Sequence, residues 1–179
     1  MAARKAGSGN RAMRSALRAH LEPGIEALGF SGKYPEWRRE SGDEVHFILL
    51  QLAKYGGSFS LQAAWSKIGT DGQDLEKGFA RTEFEQRAIL TCPIELWTVE
   101  GARCDYQSKA FDYRFMLDDA EACERLAKQC ADGLSALDDW LITRRFTPRA
   151  APIGNTIGEF PNDTVLRAIA RAKAELGLY

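Results

Sequence analysis

Two histidines, four cysteines and twenty-five carboxylates are the groups with which this 179-residue chain could begin catalysis at neutral pH. A side-chain nucleophile needs a base within hydrogen-bond reach. The residue types allow one such set, Cys92 or Ser60 with His46 and Asp112. No GxSxG elbow surrounds either nucleophile, and no GxxxxGK[ST] loop is present to cradle phosphates, so nothing points to hydrolase or nucleotide chemistry. His46 lies in a strand-like run, where a lone histidine is more commonly a surface or hydrogen-bonded residue than a base. Glu83 and Glu85 could pair as carboxylates but read more simply as solvated loop charges. Zinc has no ligand spacing: no CxxC occurs, and His20 and His46 are far from the cysteines in sequence. We expect no metal, no cofactor and no catalytic residue, which leans the reading away from an enzyme without deciding it.

Binding is the other chemistry open to these residues. Trp65, Trp97 and Trp140 fall in core-like periodicities, whereas Trp37 is flanked by Arg38 and Arg39 and has a polar neighbourhood. The net charge of -1 hides an asymmetry. Residues 1–21 carry Arg4, Lys5, Arg11, Arg14 and Arg18 against no acid, and residues 118–139 carry seven acids against Arg125 and Lys128. A basic arm can neutralise phosphates, but it is too small to make a basic domain, and a nucleic-acid partner is not expected. The opening MAARKAGSGN has no apolar run for a secretory signal, and no stretch approaches bilayer-spanning length. A cytoplasmic protein with reduced cysteines and no membrane partner is the expectation.

These groups must be placed by a fold, and the length suffices for one core without disulfides. We expect a disordered basic tail over 1–10 and a single α+β domain over 11–179. Leu17, Leu21, Ile25 and Leu28 make a helical stripe over 10–28, stopped by Gly29 with Phe30 placed for a Schellman contact, and Pro23 predicts a kink or break near Glu22. The period then changes to two. Strands are expected over 37–40, 45–53 and 58–67, the last with Phe59, Leu61, Ala63 and Trp65 facing the core and Ser60 and Gln62 facing solvent or a ligand. Gly56-Gly57 predicts a two-residue hairpin, and Ser41-Gly42-Asp43 a second turn. Residues 68–87 read as a long loop, 89–99 and 110–117 as two more strands. Asp118 or Asp119 caps a helix with the stripe Cys123, Leu126, Cys130, Leu134, Leu137 and Leu141, and a last helix is expected over 163–176. The sum is an antiparallel sheet of about five strands, with an N-terminal helix and two C-terminal helices mainly on one face.

The segments HLEPGIEALGF (20–30) and EWRRE (36–40), the Gly-Gly strand pair over 45–65, then CPIEL (92–96) and FDYRF (111–115), resemble in order and spacing a bacterial family known as domain of unknown function 4304. The resemblance spans about 18–141, implies the same fold and carries no catalytic residues. With helices on one side only, the polar alternates of neighbouring strands share the other, so His46, Gln62, Asp112 and Arg114 form the expected binding face, with Trp37 and Arg38 at its margin. Arg114 and Trp37 are the expected carriers of affinity, the competing reading being that Arg114 merely pairs with Asp112 or Glu95. The expected function is a non-enzymatic domain engaging a protein partner through that face. The alternative is a small-molecule binder or enzyme with a pocket between sheet and helices. Oligomeric state is left open.

Overall fold

The computed structural model describes residues 8–54, 56–68, 79, 82–91, 111–114, 116, 119–147 and 149–153. Helix α1 (Ser8–Ala27) begins inside the stretch expected to be a tail, and residues 1–7 lie outside the described residues. Met13, Leu17, Leu21 and Ile25 are its buried stripe. The helix continues through Pro23, so of the expected kink or break near Glu22 the break does not occur. Pro23 and Ala19 are both exposed, so the carbonyl that loses its helical donor lies on the solvent side, where the loss is mild. The end is a Schellman motif. Gly29 takes φ +82, its N–H donates to the Glu26 carbonyl at 2.9 Å, and the Phe30 N–H donates to the Ile25 carbonyl at 3.2 Å.

Strands β1 (Ser31–Lys33), β2 (Glu36–Ser41), β3 (Glu44–Leu52) and β4 (Ser58–Lys67) form an antiparallel meander. Strand β5 (Gln86–Leu90) pairs with β4 over 62–65, and β6 (Phe111–Asp112) pairs with β4 over 58–59. After helices α2 (Ala120–Asp132) and α3 (Leu134–Thr143), strand β7 (Ala150–Pro152) joins the far side of β5. Among the described residues the sheet has seven strands rather than about five, in the order β1-β2-β3-β4-β5-β7 with β6 also on β4. Strands of three residues, such as β1 and β7, are too short to show a period. The expected strands at 89–99 and 110–117 are β5 and β6, shifted or shortened; residues 92–110 and the expected helix at 163–176 lie outside the described residues. The β3–β4 connection is also longer than two residues. The Ala53 N–H donates to the Ser58 carbonyl at 3.0 Å, leaving 54–57 as the turn, with Gly56 and Gly57 both at positive φ.

The alternation in β4 holds. Phe59, Leu61 and Ala63 face α1, α2 and α3 and pack with Ile48, Leu50, Leu90 and Phe111 in one core, which Trp140, Cys123 and Cys130 complete from the helices. Asp119 caps α2, its carboxylate accepting from the Ala122 N–H at 2.8 Å. The expected single helix is bent in two at Gly133, where a Cβ would press on the Leu90 methyls, 2.8 Å away, and on the Arg149 guanidinium, so a larger residue would have to push both side chains aside. His20 ties α1 to α2 through Glu124 at 2.6 Å. The opposite face is not bare. Val45, Phe47, Ala64 and Phe79 form a second cluster with Leu49 and Phe84, and the Phe79 N–H donates to Glu36 at 2.7 Å. Part of the long 68–87 segment therefore covers the face expected to be open.

Candidate functional site

Register decides which residues meet. Ser58, Ser60, Gln62 and Ala64 of β4 point away from the helices, alongside Gln51 and Leu49 of β3, Arg87 of β5 and Asp112 of β6. At the centre of this outer face Gln62 is only 5% exposed. Its amide nitrogen donates to Gln51 at 2.8 Å and to the Ser60 hydroxyl at 3.2 Å, while its carbonyl accepts from Arg87 Nη2 at 2.7 Å. Arg87 is braced in turn by the rings of Phe79 and Phe84, its guanidinium 5.5 and 6.0 Å from their centroids. The expectation that Gln62 faces solvent is corrected: it is on the polar side, but its neighbours' side chains close over it.

At the far end of the same face Arg114 grips Asp112. Its Nε donates to both carboxylate oxygens, at 3.0 and 2.9 Å, its Nη2 donates to Oδ2, and its backbone N–H donates to Oδ1 at 3.0 Å. Burial alone would raise the Asp112 pKa, but the hydrogen bonds from Arg114 outweigh it and hold the carboxyl below its usual value. The arginine side chain is 67% exposed, so the pair is a charged feature of the surface rather than a buried bridge. Arg38 is exposed on the outer side of β2.

The other two expected face residues lie on the opposite side. Trp37 and His46 are each 2% exposed and point toward the helices, opposite Ile48 and Trp65 respectively. Their expected place on an exposed face is thus corrected. Trp37 packs its ring edge-on to Tyr34 in the core, centroids 6.2 Å apart. His46 instead sits in a polar inclusion that sequence reasoning missed. Arg39 of β2 donates from Nη2 to His46 Nδ1 at 3.1 Å and to Asp138 of α3 at 2.6 Å, and from Nη1 to the Leu28 carbonyl at 2.6 Å. Its guanidinium also lies over the Phe30 ring, 4.4 Å from the centroid. On the other side, His46 Nε2 donates to Glu44 at 3.1 Å, and Glu44 also accepts from Arg144, whose guanidinium stacks on Trp65 at 4.2 Å.

Because a guanidinium only donates, the Arg39 contact makes His46 Nδ1 an acceptor and puts its single proton on Nε2, facing Glu44. Burial, together with the charges of Arg144 and Arg39, lowers the His46 pKa against the opposing pull of Glu44. Glu44 is itself held below its ordinary value, its hydrogen bonds from His46 and Arg144 outweighing burial. Arg144 caps α3 in the left-handed conformation, φ 60, which a non-glycine residue holds only when surrounding contacts fix it. Of the possible nucleophiles, Ser60 lies on the face opposite His46, so the Ser60–His46–Asp112 set is not assembled; Cys92 is outside the described residues. Among the described residues no group of three or more His, Cys, Asp and Glu could hold a metal ion, and no helix is long and apolar enough to cross a membrane. Compared with protein-family models, with curated proteins and with solved structures, the chain matches none.

Proposed function

We propose that this is a non-enzymatic binding domain whose polar outer sheet face, from Gln51 and Ser60 to Asp112 and Arg114, engages a protein partner. One observation carries the reading: the side chains of that face are already locked in place, Gln51 and Ser60 by the buried Gln62 amide beneath them and Arg114 by a bidentate pair with Asp112. Groups ordered in the free protein lose little rotamer freedom on binding, so their contacts count more fully toward affinity. Trp37, buried in the core, drops out as a carrier of affinity, and Arg114 brings a neutralised pair rather than a lone cation. The cytoplasmic setting and the family resemblance belong to the same proposal.

A second reading has its own support: the polar inclusion around His46 puts convergent titratable groups between sheet and helices, the place where a small-molecule pocket would lie. Capture of a partner followed by cross-linking and mass spectrometry separates the two. Cross-links from the partner to β4 and β6, lost in Ser60→Arg and kept in Arg125→Ala on α2, are the expected result. Retention by Ser60→Arg, or cross-links confined to α1 and α2, refutes the sheet-face reading.

A further inference from the structure

The His46 inclusion is more than a patch of buried polarity, because its outer contacts tie the end of α1 and two points of α3 to the sheet. Arg39 reaches from β2 to the end of α1 at Leu28 and to α3 at Asp138, and Glu44 reaches from β3 to Arg144 at the last turn of α3. His46 is the hinge between these two tethers, accepting from one and donating to the other. We propose that His46 is a proton-operated latch, in which a second proton on Nδ1 expels the Arg39 guanidinium and frees the C-terminal end of α3 from the sheet.

The charges facing the ring come from every element packed around it. Arg39 faces it from β2, Glu44 from its own strand β3, and Arg144 from the end of α3; Asp138 of α3 acts through Arg39, β4 contributes the uncharged Trp65, and α1 contributes only the Leu28 carbonyl. Two arginines balance two carboxylates, so the inclusion is neutral only while His46 is neutral. An added proton places an N–H against the N–H of Arg39 at 3.1 Å and leaves a net positive charge around a buried ring, a combination that is relieved by separating the two. Arg39 keeps Asp138 and the Phe30 ring as partners, so its withdrawal draws α3 with it and pulls on the second tether, where protonated His46 competes with Arg144 for Glu44. The displaced helix end would uncover Trp65 and the helix-side surface of β4.

The direction of the effect follows from linkage. His46 binds its second proton less readily in the closed state than in an open or unfolded one, where its pKa is about 6.5. The stabilisation is complete above that value and is lost as pH falls toward the lower closed-state pKa, the open population rising about tenfold per pH unit within that window.

The test uses the full 15N-labelled chain, with histidine ring nitrogens and amide hydrogen exchange followed from pH 8 to pH 5 and exchange corrected for intrinsic rates. The latch requires the Nε2–H tautomer at neutral pH, a titration midpoint below about 6.5, and loss of protection over 138–144 that tracks the ring titration. Amides of Leu61 and Ala63 in β4 must keep theirs. In His46→Gln, which keeps an amide near Arg39 and Glu44 without a titrating proton, the acid response should vanish. The same response in that variant would assign it to a group other than His46 and overturn the latch. So would an Nδ1–H tautomer, a ring that titrates without any change in α3, or β4 opening in parallel. Should His46→Gln fail to fold, agreement or disagreement between the ring and amide midpoints of the wild-type chain decides alone.

Discussion

Replacing Leu61 with alanine removes three carbons from a side chain that has no exposed surface, in the middle of β4 and against the helices. At about 0.8 kcal/mol per buried carbon the transfer loss is about 2.4 kcal/mol. The cavity adds to it, because Leu50 directly opposite and the aromatic ring of Phe59 are held by their own packing and cannot fully collapse, placing the total at about 3–4 kcal/mol. Gln62→Ala, one residue on, removes three hydrogen bonds but leaves partners on a face that water can reach: Gln51 is exposed and Ser60 and Arg87 are half-buried. Its cost is about 1–2 kcal/mol. Urea unfolding followed by tryptophan fluorescence measures both, with an unchanged m-value as the sign that the native and unfolded ensembles are otherwise comparable. If Gln62→Ala costs as much as Leu61→Ala, the strand is shifted by one residue and every statement about its two faces fails with it.

Two further changes probe the helices. Asp119→Ala removes the cap of α2 and should lower stability by about 1 kcal/mol, with faster exchange of the Ala122 amide, while Asp119→Asn should leave both nearly unchanged; equal effects of the two would show that charge, not capping, is at work. Cys123 and Cys130 are buried free thiols, and burial pushes both thiol pKa values up, so native protein at pH 8 should leave them unalkylated while urea-unfolded protein reacts at both; rapid native labelling of Cys130 in peptide maps refutes the placement of the α2 stripe.

The helix ends and the β4 alternation were legible because each rests on local rules: a glycine that accepts positive φ, an aspartate at an N-cap, a strict period of two. The face of His46 is also written in the chain, in the parity that the turn imposes. A turn that closes Ala53 on Ser58 pairs even residues of β3 with odd residues of β4, and so would the shorter turn centred on Gly56-Gly57. Either places His46 with Leu61 and Trp65 rather than with Gln62. What obscured it is that β3 is apolar on both faces, with Val45 and Phe47 buried beneath Phe79 and Phe84, so a single histidine looked like the exposed exception. Arg39, Glu44, Asp138 and Arg144 had no comparable signal. Residues 39 and 138 are brought within hydrogen-bond distance only by tertiary packing, and no spacing rule joins them. The cover over the outer face was equally invisible, since it depends on Phe79 donating its N–H to a glutamate of β2.

Strand β4 shares one edge between two partners, β5 along 62–65 and β6 along 58–59, while its other edge belongs wholly to β3. The two edges close loops of very different size. The β3–β4 hairpin needs only its four-residue turn, whereas β6 must return from beyond residue 90 to reach Phe59. Loop-closure entropy grows only with the logarithm of length, about 0.6 kcal/mol per doubling, so the chain between β5 and β6 can lengthen greatly at small thermodynamic expense. Speed is affected differently. Non-local pairings form late and slow the search, and a β2–β3–β4 meander already in place offers β6 a finished template to dock on. Evolution of this molecule would therefore tolerate insertions after Leu90 far better than any lengthening of the tight turns at Gly42 or Gly57, where a single residue would reset the register of the whole sheet.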